Sequence, residues 1–362
     1  MQQVIALTGG GTGGHLSIAK SLGLACRAAG LTTIYIGGTR GQDRQWFEGK
    51  QDFDHTAFLD SKPVVNQKGI DKLKASIANL QQALEARRLM KKLNAKACIS
   101  VGGFCAASGS VGALLAGLPL FIHEQNAQAG LLNSVLKPFC KNFFSSFNFK
   151  GGTLTAYPVH PLFFQKQRKR EAIESILFLG GSQGAKAIND LALALALGLR
   201  AKNIKIIHQT GKNDYQRILQ CYEDMGISPG SYEKNGDENG VLVFDFSQDL
   251  AAFMETSDFC ISRAGASSLW ELASIGLPSL FIPYPYAAKN HQYFNAKFLS
   301  DKGLAMLYTQ EELASLDKDL LLEKILSFPL GQASEGLIDC ARPGGADEII
   351  KKILQSIGGT NA

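Results

Sequence analysis

Twice along the chain, about 170 residues apart, a short apolar run leads into a glycine-rich loop and then into a helix-like pattern. The first copy, Val4–His15, reads VIALTGGGTGGH, and the second, Ile176–Ala185, reads ILFLGGSQGA. A glycine loop between a strand and a helix lets the backbone approach a phosphate, and the N-terminus of the helix favours the anion. The repeat therefore predicts two Rossmann-like domains, each opening with a phosphate-type turn.

Short apolar runs continue between helix-period stretches along the whole chain. Most are continuous rather than alternating, which is typical of strands buried on both faces of a parallel sheet. The predicted strands are Val4–Leu7, Thr33–Ile36, Ala97–Val101, Pro119–His123, Ser175–Leu179, Ile204–Gln209, Val241–Phe244, Asp258–Ser262, Ser279–Pro283 and Ala305–Tyr308. The predicted fold class is α/β, with two doubly wound parallel-sheet domains.

The predicted boundary between the domains follows the two prolines of Tyr157–Pro161. It gives an N-terminal domain over 1–160 and a C-terminal domain over 161–340, with a charged helix over 165–174. Residues 341–362 form a separate stretch, in which Gly345–Ile357 has a helical pattern after a Pro-Gly-Gly break.

Composition narrows the class of protein. With 362 residues, 45% hydrophobic and 19% charged, the chain can bury full-sized cores, which excludes a disordered chain or a small disulfide scaffold. Seven scattered cysteines without a C-x-x-C pair indicate a reduced, cytosolic protein. No signal peptide and no apolar run long enough to span a bilayer is recognised, so any membrane contact is expected at the surface.

Charge is divided unevenly between the two halves. Residues 1–160 carry 17 basic and 8 acidic side chains, a net +9, whereas 161–362 carry 20 and 24, a net −4. The basic half is suited to phosphates, an anionic membrane surface or nucleic acid. Nucleic-acid binding is disfavoured, because no platform of alternating aromatic and basic residues is evident.

The first glycine loop matches G-x-G-x-x-G at Gly9, Gly11 and Gly14. A dinucleotide oxidoreductase would also need an acidic residue at the end of the second strand, and none stands there. His15 falls in the first turn of the following helix, where the helix dipole favours the neutral imidazole and suits a general base. The alternative is a histidine that only caps the helix or makes structural hydrogen bonds.

Glu124 follows another predicted strand and is the second candidate base. The carboxyl ends of parallel strands line the ligand crevice, so Glu124 is expected there. Its alternative is a cap network at the start of a helix.

A second dense motif is Cys260–Pro278, where a strand ends, a glycine turn follows and a helix begins. Amides of 265–268 are suited to a pyrophosphate, and Glu271, one turn on, to the two ribose hydroxyls. The alternative is a capping box, because Ser268 and Glu271 have its spacing. The D-x-D of Asp52–Asp54 has no partner cluster and is interpreted as structural, and no metal site is predicted.

Taken together, the motifs resemble the MurG family of UDP-N-acetylglucosamine:undecaprenyl-pyrophosphoryl-N-acetylmuramyl-pentapeptide N-acetylglucosaminyltransferases. The resemblance covers about residues 4–300 and depends on the order of the motifs, which are GGTGGH from Gly10, VGGF from Val101, HEQN from His123, GGSQGA from Gly180, SRAGA from Ser262, Glu271 and QYFN from Gln292. It implies the GT-B fold, in which two Rossmann-like domains face a cleft and a C-terminal helix crosses back to the first domain.

The resemblance also implies roles for the two domains. The first would meet the acceptor, lipid I, and the membrane, with His15 and Glu124 facing the acceptor; the second would bind UDP-GlcNAc. Glu271 would hold the ribose and Gln292 the sugar hydroxyls. The implied donor-binding residues are Thr12, Gly13, Gly14, Asn126, Ser182, Ser247, Ala266, Ser267, Ser268, Leu269, Trp270, Glu271 and Gln292.

The implied reaction is an inverting transfer of GlcNAc to the MurNAc 4-hydroxyl, with no cofactor or metal, in peptidoglycan synthesis. Alternatives are a UDP-sugar 2-epimerase of the same fold and a non-catalytic cell-wall scaffold. Three departures from the family pattern stand out: Phe104 in place of Tyr, His160 in place of a donor-binding Arg, and Ala106–Gly109 in place of Ser-Gly-Pro.

A lipid-linked acceptor implies a peripheral protein at the cytoplasmic face of the inner membrane, with cell-wall or division proteins as further candidate partners. Two segments of the basic half are candidates for this contact. Lys68–Leu93 is an amphipathic helix whose alternative is packing against the core, and Leu131–Lys150 holds five phenylalanines among lysines.

Overall fold

The computed structural model of the chain describes residues 2–61, 69–181, 184–231, 240–247 and 249–358. The chain divides into two compact units: unit 1 is Met1–His160 with Pro343–Ala362, and unit 2 is Pro161–Arg342. Within the described ranges each unit holds one seven-stranded sheet, and neighbouring strands in both sheets are parallel. The predicted class, two doubly wound α/β domains, is confirmed.

Unit 1 has its strands in the spatial order β3-β2-β1-β4-β5-β6-β7. Its strands are β1 Val4–Thr8, β2 Thr32–Gly38, β3 His55–Leu59, β4 Ala95–Ser100, β5 Leu120–Glu124, β6 Asn142–Ser145 and β7 Thr153–Leu154. Its helices are α1 Gly13–Ala28, α2 Asp43–Phe47, α3 Gly69–Lys92, α4 Ala106–Leu115 and α5 Leu131–Leu136, with α15 Gly345–Gly358 from the end of the chain, and a 3₁₀ turn at Lys137–Phe139.

Unit 2 has the order β10-β11-β9-β8-β12-β13-β14. Its strands are β8 Ser175–Leu179, β9 Lys205–Gln209, β10 Gly230–Ser231, β11 Val241–Phe244, β12 Phe259–Ser262, β13 Ser279–Phe281 and β14 Ala305–Leu307. Its helices are α6 Pro161–Gln165, α7 Lys186–Ala201, α8 Tyr215–Asp224, α9 Leu250–Thr256, α10 Ala266–Ser274, α11 His291–Ser300, α12 Gln310–Ser315, α13 Lys318–Leu326 and α14 Leu330–Cys340, with a 3₁₀ turn at Ala288–Asn290.

The continuous apolar runs form strands because both faces of each sheet are covered by helices. Ile5, Ala6 and Leu7 of β1 and Ile176 and Leu177 of β8 are completely buried. Burying an Ile or Leu side chain contributes about 1.5–3 kcal/mol, so these central strands anchor each core.

In both sheets the strand order reverses beside the first strand of the unit. β1 lies between β2 and β4, and β8 lies between β9 and β12. The crevice at such a switch point, at the carboxyl ends of the strands, is where open α/β sheets bind ligands. Loops that contain glycine follow the two strands that meet at each switch point. They are 9–14 after β1 and 102–103 after β4 in unit 1, and 180–181 after β8 and 263–265 after β12 in unit 2.

The phenylalanine-rich segment 131–150 is only partly a surface feature. Phe143 and Phe144 lie in β6 and are buried with Phe147, so three of the five rings cannot take part in the predicted surface contact. β6 pairs with β5 in the sheet, and a long-range pairing of this kind leaves no local signal. Phe139, by contrast, is 64% exposed.

The predicted charged helix over 165–174 does not form beyond Gln165. Two arginines of this stretch instead donate to backbone carbonyls. Arg170, completely buried, donates to the carbonyls of Met254, Ser257 and Ile275, at the carboxyl ends of α9 and α10. Burial lowers the pKa of Arg170 to about 9, which leaves its guanidinium charged at neutral pH. Long-range capping therefore outweighs the local helical pattern.

Helix α15 packs against α1 within unit 1. Ile349, Ile350 and Ile353 form its buried face, and the backbone amide of Ala156 donates to its Glu348 carboxylate at 3.2 Å. A Cβ on Gly345 would lie 2.4 Å from the carbonyl oxygen of Ala156, so this close approach requires glycine.

Candidate active site

The two glycine loops of unit 1 lie backbone against backbone. The Gly10 amide donates to the Gly102 carbonyl at 3.2 Å. A Cβ on Gly9 would lie 2.4 Å from that carbonyl oxygen, and one on Gly103 would lie 2.2 Å from the Gly10 carbonyl oxygen. All of these glycines have positive φ, so both the contact and the backbone conformation require the absence of a side chain.

His15 lies half-buried in the first turn of α1, beside the second loop. The Gln125 side-chain amide donates to His15 Nε2 at 2.8 Å, and His15 Nδ1 lies 2.9 Å from Thr12 Oγ1. An amide nitrogen can only donate, so Nε2 is the acceptor and the ring proton of the neutral imidazole sits on Nδ1. The lone pair that a general base needs is thereby held on Nε2. Both ring nitrogens bond to side chains, so His15 does not merely cap α1, and these contacts are also those of the hydrogen-bonding alternative.

Glu124, the other candidate base, is buried and takes part in a local network. Its Oε1 accepts from the Asn126 amide at 3.0 Å, and its Oε2 accepts from the Gly130 amide at 3.0 Å and from Asn133 Nδ2 at 2.8 Å. Both carboxylate oxygens thus hold the turn between β5 and α5. These contacts match the cap-network alternative for Glu124.

His123, next in the chain to Glu124, is completely buried at the end of β5 with its ring edge-on to Tyr157 at 5.7 Å. Burial, with a smaller contribution from the nearby His15, lowers the pKa of His123 to about 3. His123 is therefore neutral at physiological pH and adds no positive charge beside His15.

Gln125, the partner of His15, was not among the predicted site residues. Its only signal in the sequence is its position inside the His123–Asn126 motif. The contact joins residues 110 positions apart, so it depends on β1 and β5 ending at the same edge of the sheet.

In unit 2 the predicted ligand-binding feature is the glycine turn that leads into the start of α10. Gly265 is the N-cap of this helix and no side chain caps it, so the capping box predicted as an alternative for Ser268 and Glu271 is wrong. A Cβ on Gly265 would contact nothing within 4 Å, which leaves its backbone open to close approach. Glu271 lies half-buried on the second turn. An amide terminus with a carboxylate one turn on suits a pyrophosphate and a ribose.

Two residues of the predicted donor-binding stretch point into the core. The side chains of Leu269 and Trp270 are 0% and 4% exposed, and the Trp270 ring packs near Phe298 at 5.8 Å. The Leu269 amide donates to the Gly265 carbonyl at 2.9 Å within the helix, so the predicted donor contact of these two residues is not supported by their side chains. Ala266 and Ser267 are also largely buried, whereas Ser268 is half-exposed.

Of the two remaining residues predicted to bind the donor after β8 and β11, the structure describes one. Ser182 lies outside the described residues, but the preceding Gly181 has φ +75° and open space where a Cβ would stand. Ser247 is buried, and its hydroxyl accepts from the Asp249 amide at 3.0 Å, which leaves its own proton to donate. Both segments follow the carboxyl ends of their strands.

Gln292 lies in the first turn of α11, where its Oε1 accepts from the Tyr284 amide at 2.9 Å. Its side-chain orientation is therefore fixed, with the amide nitrogen directed away from that contact. Asn295, buried on the same helix, donates to the Ala264 carbonyl at 3.1 Å and ties α11 to the loop before α10. The Gln292 and Glu271 segments are thus joined within unit 2.

His160 supplies no cation at neutral pH. Burial lowers its pKa below the usual value, and Lys20 lowers it further. The positive charge that the resemblance expects from an arginine at this position is accordingly absent from residue 160.

The D-x-D segment is structural. Asp52 pairs with Lys20 at 3.1 Å, and Asp54 accepts from the Thr33 amide at 2.7 Å, at the amino-terminal edge of the sheet. Across the described ranges, no group of three or more His, Cys, Asp or Glu side chains is arranged to hold a metal ion.

Models of glycosyltransferase family 28 match both units. The N-terminal domain model matches residues 5–145 and the C-terminal domain model matches residues 175–334. Two similar curated proteins, from Campylobacter fetus subsp. fetus and Wolinella succinogenes, are each 47% identical and cover 97% of this chain, with 100% and 99% of their own lengths covered. Both are named UDP-N-acetylglucosamine–N-acetylmuramyl-(pentapeptide) pyrophosphoryl-undecaprenol N-acetylglucosamine transferase.

Solved structures agree on the fold. The crystal structure of MurG from Acinetobacter baumannii matches with a TM-score of 0.76 and 25% identity, covering 98% of this chain and 100% of that one. A UDP-N-acetylglucosamine 2-epimerase matches with a TM-score of 0.63 at 11% identity, covering 100% and 98%. The second likeness shows the shared fold alone.

Proposed function

This chain belongs to glycosyltransferase family 28, and we propose that it transfers N-acetylglucosamine from UDP-N-acetylglucosamine to undecaprenyl-pyrophosphoryl-N-acetylmuramyl-pentapeptide. The acceptor is the 4-hydroxyl of the N-acetylmuramyl sugar, and the product is the β-1,4-linked disaccharide lipid. One observation carries the proposal for the chemistry: His15 Nε2 is held as a hydrogen-bond acceptor in the first turn of α1, beside two glycine loops.

The proposed step is a single displacement. The 4-hydroxyl oxygen attacks the anomeric carbon of the α-linked donor, its proton passes to His15 Nε2, and the bond from that carbon to the β-phosphate oxygen breaks. UDP leaves and the configuration inverts. In the structure, the Gln125 amide is hydrogen-bonded to the lone pair of His15 Nε2. The acceptor hydroxyl must therefore replace this amide as the hydrogen-bond partner of His15 before the proton is transferred.

The donor is assigned to unit 2. The uncapped start of α10 offers backbone amides to the pyrophosphate, where they stabilise the charge that develops on the leaving UDP. Glu271 would accept the ribose hydroxyls, and Gln292 would donate to the hydroxyls of the sugar. Four residues of unit 1 are predicted to close over the donor, and this role stays a prediction: Thr12, Gly13, Gly14 and Asn126.

The test is a radiolabelled UDP-N-acetylglucosamine assay with a lipid I analogue. We expect a labelled lipid-linked disaccharide. Release of free N-acetylmannosamine or its UDP form without acceptor would instead indicate the 2-epimerase, and the absence of any turnover would favour a scaffold. Both results contradict the proposal.

A membrane-contact surface is also proposed on unit 1, at the cytoplasmic face of the inner membrane. Ile77, Leu80 and Leu84 of α3 are 52%, 52% and 38% exposed. α3 packs on the core through Ala83, Ala86 and Met90, as the core-packed alternative expects, but the stripe of Ile77, Leu80 and Leu84 lies outside that contact. Among the described residues, no helix combines the length and apolarity needed to cross a bilayer.

Basic residues accompany this apolar stripe. Arg88, Lys91 and Lys92 are exposed at the carboxyl end of α3. An apolar stripe with basic neighbours suits adsorption to anionic lipid. Lys68 lies outside the described residues, and the side chains of Ile70, Lys72, Leu73 and Lys74 lie outside the described part of α3.

The second candidate surface is narrower than the sequence predicts. Leu131, Val135 and Phe139 are exposed at spacings of four residues. Lys137, however, donates to the Lys150 carbonyl at 2.6 Å and lies over the buried Phe143 ring at 4.6 Å, so it does not face outward to lipid. The α3 stripe is therefore the main surface in this proposal.

Flotation with anionic and neutral vesicles tests the membrane surface. We expect the double variant Leu80→Glu, Leu84→Glu to lose binding to anionic vesicles. Leu197→Glu, a change at a 59% exposed leucine of unit 2, should bind as the wild type does. Equal binding by all three proteins, or binding that ignores lipid charge, contradicts the proposal.

A further inference from the structure

A fully buried carboxylate contacts the first glycine loop, residues 9–14. Asp43, the first residue of α2, has no exposed surface. Its Oδ2 accepts from the Gly11 amide at 2.7 Å, and its Oδ1 accepts from the Gly38 amide at 3.0 Å and from the Tyr35 hydroxyl at 2.9 Å. Asp43 therefore joins the loop after β1 to the end of β2.

Tyr35 holds the same loop from a second point. Its hydroxyl, buried in β2, also lies 2.7 Å from the Gly9 carbonyl oxygen, so one proton is shared between that carbonyl and Asp43. Burial raises the pKa of Tyr35, and the neighbouring Asp43 raises it further, which keeps the hydroxyl protonated. The loop is thus bonded at Gly9 through its carbonyl and at Gly11 through its amide.

The positions around the Asp43 carboxylate leave no space for a side chain and are occupied by glycines. A Cβ on Gly10 would lie 2.3 Å from Asp43 Oδ1, and one on Gly37 would lie 2.7 Å from the same oxygen. Gly41, with φ +101°, places its backbone against Gly11, where a Cβ would lie 2.8 Å from the Gly11 carbonyl oxygen. The conformation of 9–11 is therefore enclosed by Asp43, Tyr35 and the backbone of Gly41.

The negative charge of Asp43 also affects which ligands the first glycine loop can bind. In a phosphate-binding glycine loop the amides point to the anion, but here the Gly11 amide is bonded to a carboxylate of this chain. A phosphate at that amide would meet a like charge. The first loop consequently serves as a fixed support for the start of α1 at this position, rather than as a phosphate ligand.

We propose that Asp43 and Tyr35 are positioning residues, which hold the first glycine loop by its backbone and so place His15 for reaction. The inference rests on the proposed transferase function. An aspartate is required because all three groups that face it are donors and a carboxylate only accepts. An asparagine would set its own amide protons against at least one of these donors.

The test compares Asp43→Asn and Tyr35→Phe with a matched control, Asp54→Asn. Asp54 likewise accepts a backbone amide and a hydroxyl from β2, both from Thr33, but at the opposite end of the strand. Three quantities are measured: kcat and donor KM in the transfer assay, UDP affinity by calorimetry, and hydrogen exchange of a peptide covering 9–15 without substrate. Tyr35→Phe, which removes one oxygen only, covers the case in which Asp43→Asn does not fold.

For the two loop variants we expect faster exchange over 9–15 and a kcat lowered by about 10- to 100-fold, since small displacements of a catalytic group cost about that much. Donor KM and UDP affinity should stay within about two-fold of the wild type. Asp54→Asn should match the wild type in all three measurements.

The inference is overturned if exchange or kcat in the loop variants equals that of the wild type, or if Asp54→Asn loses kcat to the same extent. A wild-type protein that transfers no sugar would refute the proposed function instead. The exchange comparison, made without substrate, would still show whether Asp43 and Tyr35 hold the loop.

Discussion

At the scale of single residues, the site in unit 1 depends on which atoms donate and which accept. Thr12 and Gln125 engage the two nitrogens of His15, whereas Glu124 uses both its oxygens to hold a turn. Residue types alone left both as candidate bases. Their hydrogen-bond partners support His15 in the proposed role, because the Glu124 carboxylate is bonded to two backbone amides that hold a turn.

His15→Ala tests the assignment of the base. We expect kcat to fall by about 10²- to 10⁴-fold, the usual contribution of a general base, while UDP affinity measured by calorimetry is unchanged. His55→Ala, at an exposed histidine that begins β3, is the control and should retain full turnover. Turnover that survives His15→Ala would place the base elsewhere.

Gln125→Glu tests the contact between the amide and His15. A carboxylate at this position favours the imidazolium, so the pKa of His15 should rise in the variant. The base must be neutral to accept a proton, and the acidic limb of the kcat profile should therefore move to higher pH. Measuring kcat from pH 5 to 9 checks this, and an unshifted limb would show that Gln125 does not contact the working base.

At the scale of elements, the active site of unit 1 is a packing of loops. The loops after β1 and β4 touch through their backbones, and this is possible because β4 pairs with β1 at the switch point of the sheet. The sequence predicts both strands and both loops but not that they are neighbours, since strand order is a long-range property.

Gly103→Ala tests this loop contact. The new Cβ would lie 2.2 Å from the Gly10 carbonyl oxygen, a backbone atom with little freedom to move, at φ +82°. The matched control is Gly117→Ala, at φ +74° with nothing within 4 Å. Positive φ alone costs about 1–2 kcal/mol, so Gly117→Ala should lose about that much in the free energy of unfolding. Gly103→Ala should lose more and lose turnover as well; equal losses in denaturant melts would refute the contact.

The elements that sequence periodicity predicts best are buried strands that have a neighbouring strand on each side. Ser175–Leu179 and Val241–Phe244 have the predicted bounds. The errors fall where a distant partner decides: β6 forms from a phenylalanine cluster because β5 is available to pair, and 166–174 is not helical because its arginines cap α9 and α10.

At the scale of the whole molecule, the charge difference follows the two units. The stretch 343–362 joins unit 1 and has two acidic and two basic residues, so unit 1 keeps its net +9 and unit 2 its −4. A basic unit for an anionic lipid surface and a slightly acidic unit that holds a nucleotide through amides are consistent with the proposed division of roles.

Salt should therefore affect the two proposed ligands differently. Raising the ionic strength from 0.05 to 0.5 M shortens the screening length to a few ångströms, so binding to anionic vesicles should weaken strongly. UDP affinity should change much less, because backbone amides contribute no net charge. Flotation and calorimetry over one salt series measure both, and parallel losses would contradict the separation of roles.

Acid should destabilise both units. Burial lowers the pKa of His123 in unit 1 and of His208 in unit 2 to about 3, well below the ordinary value of 6.5. Between these values the unfolded chain binds protons that the folded chain excludes, so stability falls as pH drops below 6.5. Each histidine should contribute up to about 1.4 kcal/mol per pH unit.

Urea melts from pH 7.5 to 4.5 measure this loss. His208→Gln should flatten the slope for the unfolding of unit 2, and an unchanged slope would show that His208 is not the group responsible.

The sequence by itself determined the α/β class, the repeated strand–loop–helix opening of the two units, the positions of the glycine loops and His15 as a candidate base. These follow from local signals: apolar runs of strand length, glycine placed after them, and a histidine at the start of a helix. Tertiary structure alone decided that Gln125 meets His15, that Glu124 holds a turn, that Asp43 and Tyr35 bond the first loop from beneath, and that the α3 leucines face outward. Each of those contacts joins groups whose separation in space is set by strand order and helix packing, which the local pattern does not encode.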